Sequence, residues 1–224
     1  MSSGETGYLT LWERGLAPKR PQLVAETWKE LLGEVDALIA SPGDVKVLGL
    51  DALGGFERLC HEHICETEFG GDWGEKGFAG WQRGPSIAVT EWLGFLERLE
   101  RLRNTTAVHV VLLAHARIAP FKNPTGADFD RYVCDCNTKT WSVTHKWADA
   151  VLFGKFYTVV ETDKPTARKG KGVGGTERVL YTTHSDAWDA KNRFGLPEEF
   201  TIPNDRTASW SVLDKLIFNG APNA

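Results

Sequence analysis

Asp51 follows the apolar run Val45–Leu50 (VKVLGL), and His115 follows a second one, Val108–Ala114 (VHVVLLA). A carboxylate at the C-terminal end of a buried strand can hold Mg²⁺ beside bound phosphates. A phosphate site of that kind calls for a glycine-rich loop, G-x-x-x-x-G-K-[ST], whose backbone N–H groups cradle the phosphates. The 224 residues contain no such string. If both runs are strands of one parallel sheet, Asp51 and His115 project from the same C-terminal edge, where open α/β sheets bind ligands. Glu13, after the short apolar run Tyr8–Leu11, would join them, and a carboxylate there can orient an attacking water. Each residue also has a plainer reading: an aspartate at a strand end often caps a helix, and Glu13 is equally a solvated loop glutamate.

Two further groups of cations stand out. Lys191-Asn192-Arg193-Phe194-Gly195, followed by Leu196-Pro197, sets two positive charges two residues apart in a turn-rich segment. Such cations suit a phosphoryl group or a neighbour's nucleotide; a surface turn is the alternative. Arg168-Lys169-Gly170-Lys171 is a local basic cluster, and Gly170–Gly175 formally satisfies G-x-G-x-x-G. A dinucleotide fingerprint belongs between a strand and a helix. Here both neighbours are β-like, so the string reads as a flexible basic loop able to approach a phosphate backbone.

The cysteines fall in two close pairs, Cys60/Cys65 and Cys134/Cys136. Their spacing matches no common zinc module, and His61-Glu62-His63-Ile64-Cys65 is not H-E-x-x-H, so buried or incidental thiols are expected.

The elements that must carry these residues alternate. Tyr8–Leu11 reads as a strand. Val24, Trp28, Leu31, Leu32, Val35, Leu38 and Ile39 recur at helical spacing, and Ser41-Pro42-Gly43-Asp44 breaks the helix. Val45–Leu50 is apolar enough for burial on both faces of a parallel sheet. A second helix carries Phe56, Leu59, Cys60, His63 and Ile64. Gly70–Gly84 is a long polar loop, and a third helix runs from Ala88 to Leu102 with Arg101 and Arg103 near its end, as the helix dipole favours. Asn137–Lys146 is helical, Ala150–Phe153 is a third core strand, and Phe156–Val160 with Arg178–Thr182 forms a hairpin. A short helix with Trp210, Leu213, Leu216 and Ile217 comes last. This order predicts one α/β domain with a mostly parallel sheet.

A hydrophobic content of 42% and a charged content of 25% are ordinary for a globular chain. The apolar runs are far shorter than the ~20 residues of a membrane span, and the N-terminus has neither the basic nor the apolar region of a signal peptide; the expected location is cytoplasmic. A net charge of −4 argues against coating nucleic acid by bulk electrostatics.

The KNRFG string is similar to a signature of the bacterial RadA/Sms branch of RecA-like ATPases. The wider series resembles phage RecA-like ATP-binding proteins of single-strand annealing and recombination: VLGLDALGGFERLCHEHIC, VVLLAHARI, DRYVCD, HKWADAVLFG, GVGGTERVLYT and KNRFGLPEE, in that order. The resemblance implies a RecA-like P-loop NTPase core, a mostly parallel sheet flanked by helices, plus a β-hairpin. It implies ATP and Mg²⁺ as cofactors, with Asp51 at the Walker B position holding Mg²⁺ through water. Glu13 would position the water and His115 would act as sensor. Lys191 and Arg193 would act across a subunit interface in a homo-oligomer, and Arg168, Lys169 and Lys171 would face single-stranded DNA. The family's opening strand, Walker A loop and helix have no counterpart before Tyr8, so ATP binding or hydrolysis by this chain alone is expected to be impaired. The other expectation is a non-catalytic DNA-binding or assembly subunit that keeps the fold.

Overall fold

A computed structural model describes residues 1–4, 6–17, 23–161 and 171–218. They fall into two units, one of Met1–Arg117 with Cys134–Trp147, the other of Ile118–Val133 with the chain from Ala148 onward.

The first unit is built on amphipathic helices. Its first helix, α1 (Gly7–Glu13), replaces the strand expected over Tyr8–Leu11, and none of its residues is buried. With no strand partner for this short apolar stretch, a helix satisfies its backbone locally. Helix α2 (Trp28–Ala40) starts at a reciprocal cap. The Thr27 hydroxyl accepts from the Glu30 N–H and the Glu30 carboxylate accepts from the Thr27 N–H, both at 3.2 Å. Two N–H groups left over at a helix start are thereby satisfied. Strand β1 (Val47–Leu50) leads to α3 (Leu53–Phe69), and α4 (Arg83–Thr105) leads to strand β2 (His109–Leu112). β1 and β2 are parallel, with Val47 opposite His109 and Leu50 opposite Leu112. Burial alternates along β1, Leu48 and Leu50 inward and Val47 outward, so one face is covered rather than the two expected. Helix α5 (Thr138–Trp147) completes the unit.

At the centre of this core Trp28 and Trp92 stack at 5.7 Å, with Phe95 edge-on to both at 5.4 and 5.2 Å. Each indole N–H is satisfied, Trp28 by the Glu91 carboxylate at 2.8 Å and Trp92 by the Thr144 hydroxyl at 2.9 Å. The Thr144 hydroxyl in turn donates to the Thr140 carbonyl. Buried Trp needs such partners for its one polar atom.

Between α3 and α4 the glycine-rich segment is not an open polar loop. Phe78 is buried against Trp73 at 4.8 Å, His61 at 5.1 Å and Phe69 at 5.9 Å. Asp72 organises the turn, its carboxylate accepting from the Gly74 N–H and its carbonyl from the Phe78 N–H, both at 2.8 Å. A Cβ at Gly77 would lie 2.0 Å from the Asp72 carbonyl oxygen, so the close approach requires glycine.

Burial beside Phe78 holds the His61 imidazole below its ordinary pKa, opposed by the Glu57 carboxylate. A histidine depressed in the folded state adds stability above its unfolded value of 6.5 and loses it as pH falls below that value toward the folded pKa. Thermal unfolding followed from pH 8 down to pH 5.5 is therefore expected to show a falling midpoint below about pH 6.5, and His61→Gln is expected to flatten that slope.

The second unit is β-rich. Strand β3 (Ala116–Phe121) pairs with β4 (Phe129–Cys134) where the chain enters it. Strands β5 (Ala150–Val151), β6 (Phe153–Glu161), β7 (Lys171–Tyr181), β8 (Lys191–Asn192) and β9 (Glu199–Ile202) follow. β5 pairs antiparallel with β8, and β6, β7 and β9 form an antiparallel sheet in that order. The hairpin expected from Phe156 to Thr182 is present as β6–β7. Two expectations are corrected. Ala150–Phe153 is not a core strand of a parallel sheet: its residues are half-buried and pair antiparallel. Lys171–Gly175 belongs to β7 rather than to a loop, so the G-x-G-x-x-G match runs into a strand and no helix follows it. β1–β2 is parallel, whereas β5–β8, β6–β7 and β7–β9 are antiparallel. Tyr132, Phe153, Tyr181 and Trp188 make a half-exposed aromatic cluster, Phe153 stacked on Trp188 at 5.4 Å. Helix α6 (Arg206–Leu213) is capped by the Asp205 carboxylate, which accepts from the Ala208 N–H at 2.8 Å, and a π-helical turn, Asp214–Phe218, follows it.

Candidate functional site

Because β1 and β2 run parallel with Leu50 opposite Leu112, Asp51 and His115 both leave the C-terminal ends of adjacent strands. The turn after β1 is pinned to β2, with the Leu113 N–H donating to the Leu50 carbonyl at 2.9 Å and the Leu53 N–H to the Leu113 carbonyl at 2.7 Å. Asp51 is half-buried two residues before α3. Its carboxylate makes no hydrogen bond or ion pair among the described residues, although the Met1 amino group lies within electrostatic reach. Ser2 lies alongside, bridged in parallel to Asp51 and to Val24.

His115 is exposed, and its carbonyl accepts from the Asp135 N–H at 2.8 Å. Asp135 is also paired with Arg117 at 3.2 Å. Its carbonyl packs against Gly54, where a Cβ would come within 3.2 Å. One step further, the Asn137 N–H donates to both oxygens of the Glu57 carboxylate at 3.0 Å. Glu57 is 8% exposed. The corner between β4 and α5 is thus bound to the first turns of α3 beside Asp51. Nothing in the sequence singled out Glu57: it lies among the apolar residues of α3, and its partner is 80 residues away.

Glu13 ends α1 as an exposed residue, and no contact among the described residues ties it to Asp51 or His115.

The cations of KNRFG lie in the second unit. Lys191 extends its amino group to the Ala148 carbonyl. Burial and the neighbouring Arg193 push its pKa down, while Asp149 opposes them. Arg193 pairs with the Asp149 carboxylate at 3.0 Å, and its N–H donates to the Asp149 carbonyl at 3.1 Å. Asn192 shapes the turn between them. Its side-chain oxygen accepts from the Phe194 and Leu196 N–H groups at 2.9 and 3.2 Å, and its amide donates to the Leu196 carbonyl at 2.9 Å. An asparagine followed three residues later by a glycine is the signal that marks this turn. Gly195, at φ +66°, takes the left-handed conformation that closes it.

Of the basic cluster, Arg168 and Lys169 lie outside the described residues, and Lys171 opens β7. The cysteines are free thiols, Cys60 and Cys65 buried. Burial pushes the Cys60 thiol up, and the Cys136 thiol is pushed up by its own hydrogen bond with Cys134 together with burial. No group of three or more His, Cys, Asp or Glu among the described residues is arranged to hold a metal. A single open carboxylate such as Asp51 still suits Mg²⁺, which keeps most of its water and takes one or two carboxylates plus phosphate oxygens. Among the described residues, no helix is long and apolar enough to cross a membrane.

Residues 13–194 match the family model described as an AAA domain. No curated protein matches the chain.

Proposed function

The chain belongs to the AAA domain family, and on that premise we propose that it is a RecA-like ATP-binding protein of the phage type, acting on single-stranded DNA in recombination or annealing. AAA domains are P-loop-type ATPase domains that bind ATP with Mg²⁺. The observation that carries the reading is Asp51: a half-buried carboxylate, unpaired among the described residues, at the end of one of two adjacent parallel strands. Bound Mg²⁺ would supply charge neutralisation at the phosphates. Asp51 would hold that ion through water, and His115, three residues past the end of the next strand, would sense the nucleotide. Glu13 would orient water. Lys191 and Arg193 would act on the nucleotide of a neighbouring subunit in a homo-oligomer, exchanging the Ala148 carbonyl and the Asp149 carboxylate for phosphate oxygens. Arg168, Lys169 and Lys171 would meet the DNA backbone.

Equilibrium titration with a fluorescent ATP analogue tests the reading. Binding that strengthens on adding Mg²⁺ is expected, and Asp51→Asn is expected to weaken the Mg²⁺-supported affinity by about tenfold, near 1.4 kcal/mol. An analogue that binds equally with and without Mg²⁺, or equally to both proteins, removes Asp51 from that role.

A second reading is a DNA-binding or assembly subunit without catalysis. No nucleotide binding, combined with salt-sensitive binding of single-stranded DNA that is lost on changing Lys169 and Lys171, is its expected signature.

A further inference from the structure

The corner between β4 and α5 carries Cys134 and Cys136 on either side of Asp135. Both are free thiols, half-buried and packed against the core cluster. Their sulfurs meet, for the Cys136 thiol is hydrogen-bonded to Cys134. Two peptide units keep the two Cα atoms within about 7 Å of each other, a separation that a disulfide spans. The other cysteine pair has no such geometry. Cys60 and Cys65 lie five positions apart on α3, about 7.5 Å along the helix axis alone.

The backbone on both sides of Cys136 is pinned. The Asp135 N–H donates to the His115 carbonyl at 2.8 Å, and the Asp135 carboxylate pairs with Arg117 at 3.2 Å. The Asn137 N–H is held by both oxygens of Glu57 at 3.0 Å, and the Asn137 side-chain oxygen accepts from the Lys139 N–H at 3.0 Å. Two sulfurs held in contact in this way react with each other at high effective concentration. The bond with Cys134, burial, and the carboxylates of Glu57 and Asp135 all push the Cys136 thiol up. Cys136 therefore keeps its proton and donates it, which leaves the Cys134 sulfur as the attacking one.

We propose that Cys134 and Cys136 form a thiol–disulfide exchange site, closed to a reversible disulfide by a small-molecule disulfide such as oxidised glutathione. The Cys134 thiolate attacks one glutathione sulfur, forming a mixed disulfide and expelling the first glutathione thiolate. Cys136 then gives its proton to solvent, attacks the Cys134 sulfur and expels the second. Two protein thiols lose two electrons and two protons, and one glutathione disulfide becomes two thiols. The new bond ties the chain across Asp135, the residue whose N–H holds the His115 carbonyl. It lies at the corner bound to the first turns of α3 beside Asp51 and requires neither nucleotide nor DNA.

The test incubates the whole folded chain with oxidised glutathione at pH 8, then quenches with acid, alkylates in denaturant and measures the mass. Wild type is expected to lose two hydrogens, its alkylatable thiols falling from four to two. The bond is expected in the peptide that holds Cys134 and Cys136, and dithiothreitol is expected to restore all four thiols. Cys136→Ser is expected to stop at a glutathione adduct on Cys134, and Cys134→Ser to react about tenfold more slowly than wild type. Joint replacement Cys60→Ser and Cys65→Ser is expected to leave the loss of two hydrogens intact. A wild type that keeps all four thiols, that retains glutathione as a stable adduct, or whose bond maps to Cys60 or Cys65 overturns the site. A Cys134→Ser protein that reacts as fast as wild type overturns the assignment of Cys134 as the attacking sulfur. The mapping is made on wild type, so it decides the site even where a serine variant fails to fold.

Discussion

Trp92→Ala is expected to lower the unfolding free energy of the first unit by about 4 kcal/mol. Trp92 is 1% exposed, so its truncation removes a large buried surface and leaves a cavity that neighbouring rings cannot collapse into. Trp28 loses its stacked partner at 5.7 Å and Phe95 its edge contact at 5.2 Å. The Thr144 hydroxyl, 2% exposed, loses the indole donor at 2.9 Å but keeps its bond to the Thr140 carbonyl, which limits the polar part of the cost. Against a total stability of 5–15 kcal/mol for ordinary domains, the loss is a large fraction. Urea unfolding monitored by far-ultraviolet circular dichroism checks it, and a loss below about 1.5 kcal/mol would place Trp92 outside the core. Trp92→Phe, which keeps most of the packing and gives up the Thr144 bond, is expected to cost about half as much.

Glu57→Ala is expected to cost about 3 kcal/mol, for a different reason. The carboxylate takes the Asn137 N–H with both oxygens at 3.0 Å, at the residue that leads into α5. Removing it leaves a backbone donor without its charged acceptor, a loss of about 1.5–3 kcal/mol, and takes a negative charge from a helix N-terminus, worth a further 0.3–1 kcal/mol or so. Glu57→Gln retains an acceptor and is expected to cost about 1 kcal/mol. The corner that Glu57 holds also carries Asp135, bound to the His115 carbonyl. Hydrogen exchange of the Asp135 and Asn137 amides should therefore accelerate together in Glu57→Ala. Acceleration of Asn137 alone would show that Glu57 does not brace the edge on which Asp51 and His115 lie.

The helices were the most legible part of the chain. Apolar spacing through Trp28, Leu31 and Val35, and through Ala88, Trp92, Phe95, Leu99 and Leu102, marked α2 and α4, and those residues are buried. The strand ends bearing Asp51 and His115 were readable for the same reason, and the parallel pairing puts both residues beyond the C-terminal ends of adjacent strands. Short elements were not. Tyr8–Leu11 is apolar but buries nothing, so no periodic signal separates a short helix from a strand. Ala150–Phe153 has the composition of a core strand, yet its pairing is decided by Lys191–Asn192 and by β7, which lie far along the chain.

Local spacing specifies the amphipathic helices, the two strand runs with Asp51 and His115 after them, and the turn-rich character of Lys191–Gly195. These depend on spacing within a few residues, where side-chain periodicity and backbone preference act directly. Which groups meet is set by the folded chain. It bound Asn137 to Glu57, tied Lys191 and Arg193 to Ala148 and Asp149, and left Phe156 beside Arg178 on an open face. Partners 22 to 80 residues apart along the chain come together only when the core between them closes, and local sequence carries no record of that closure.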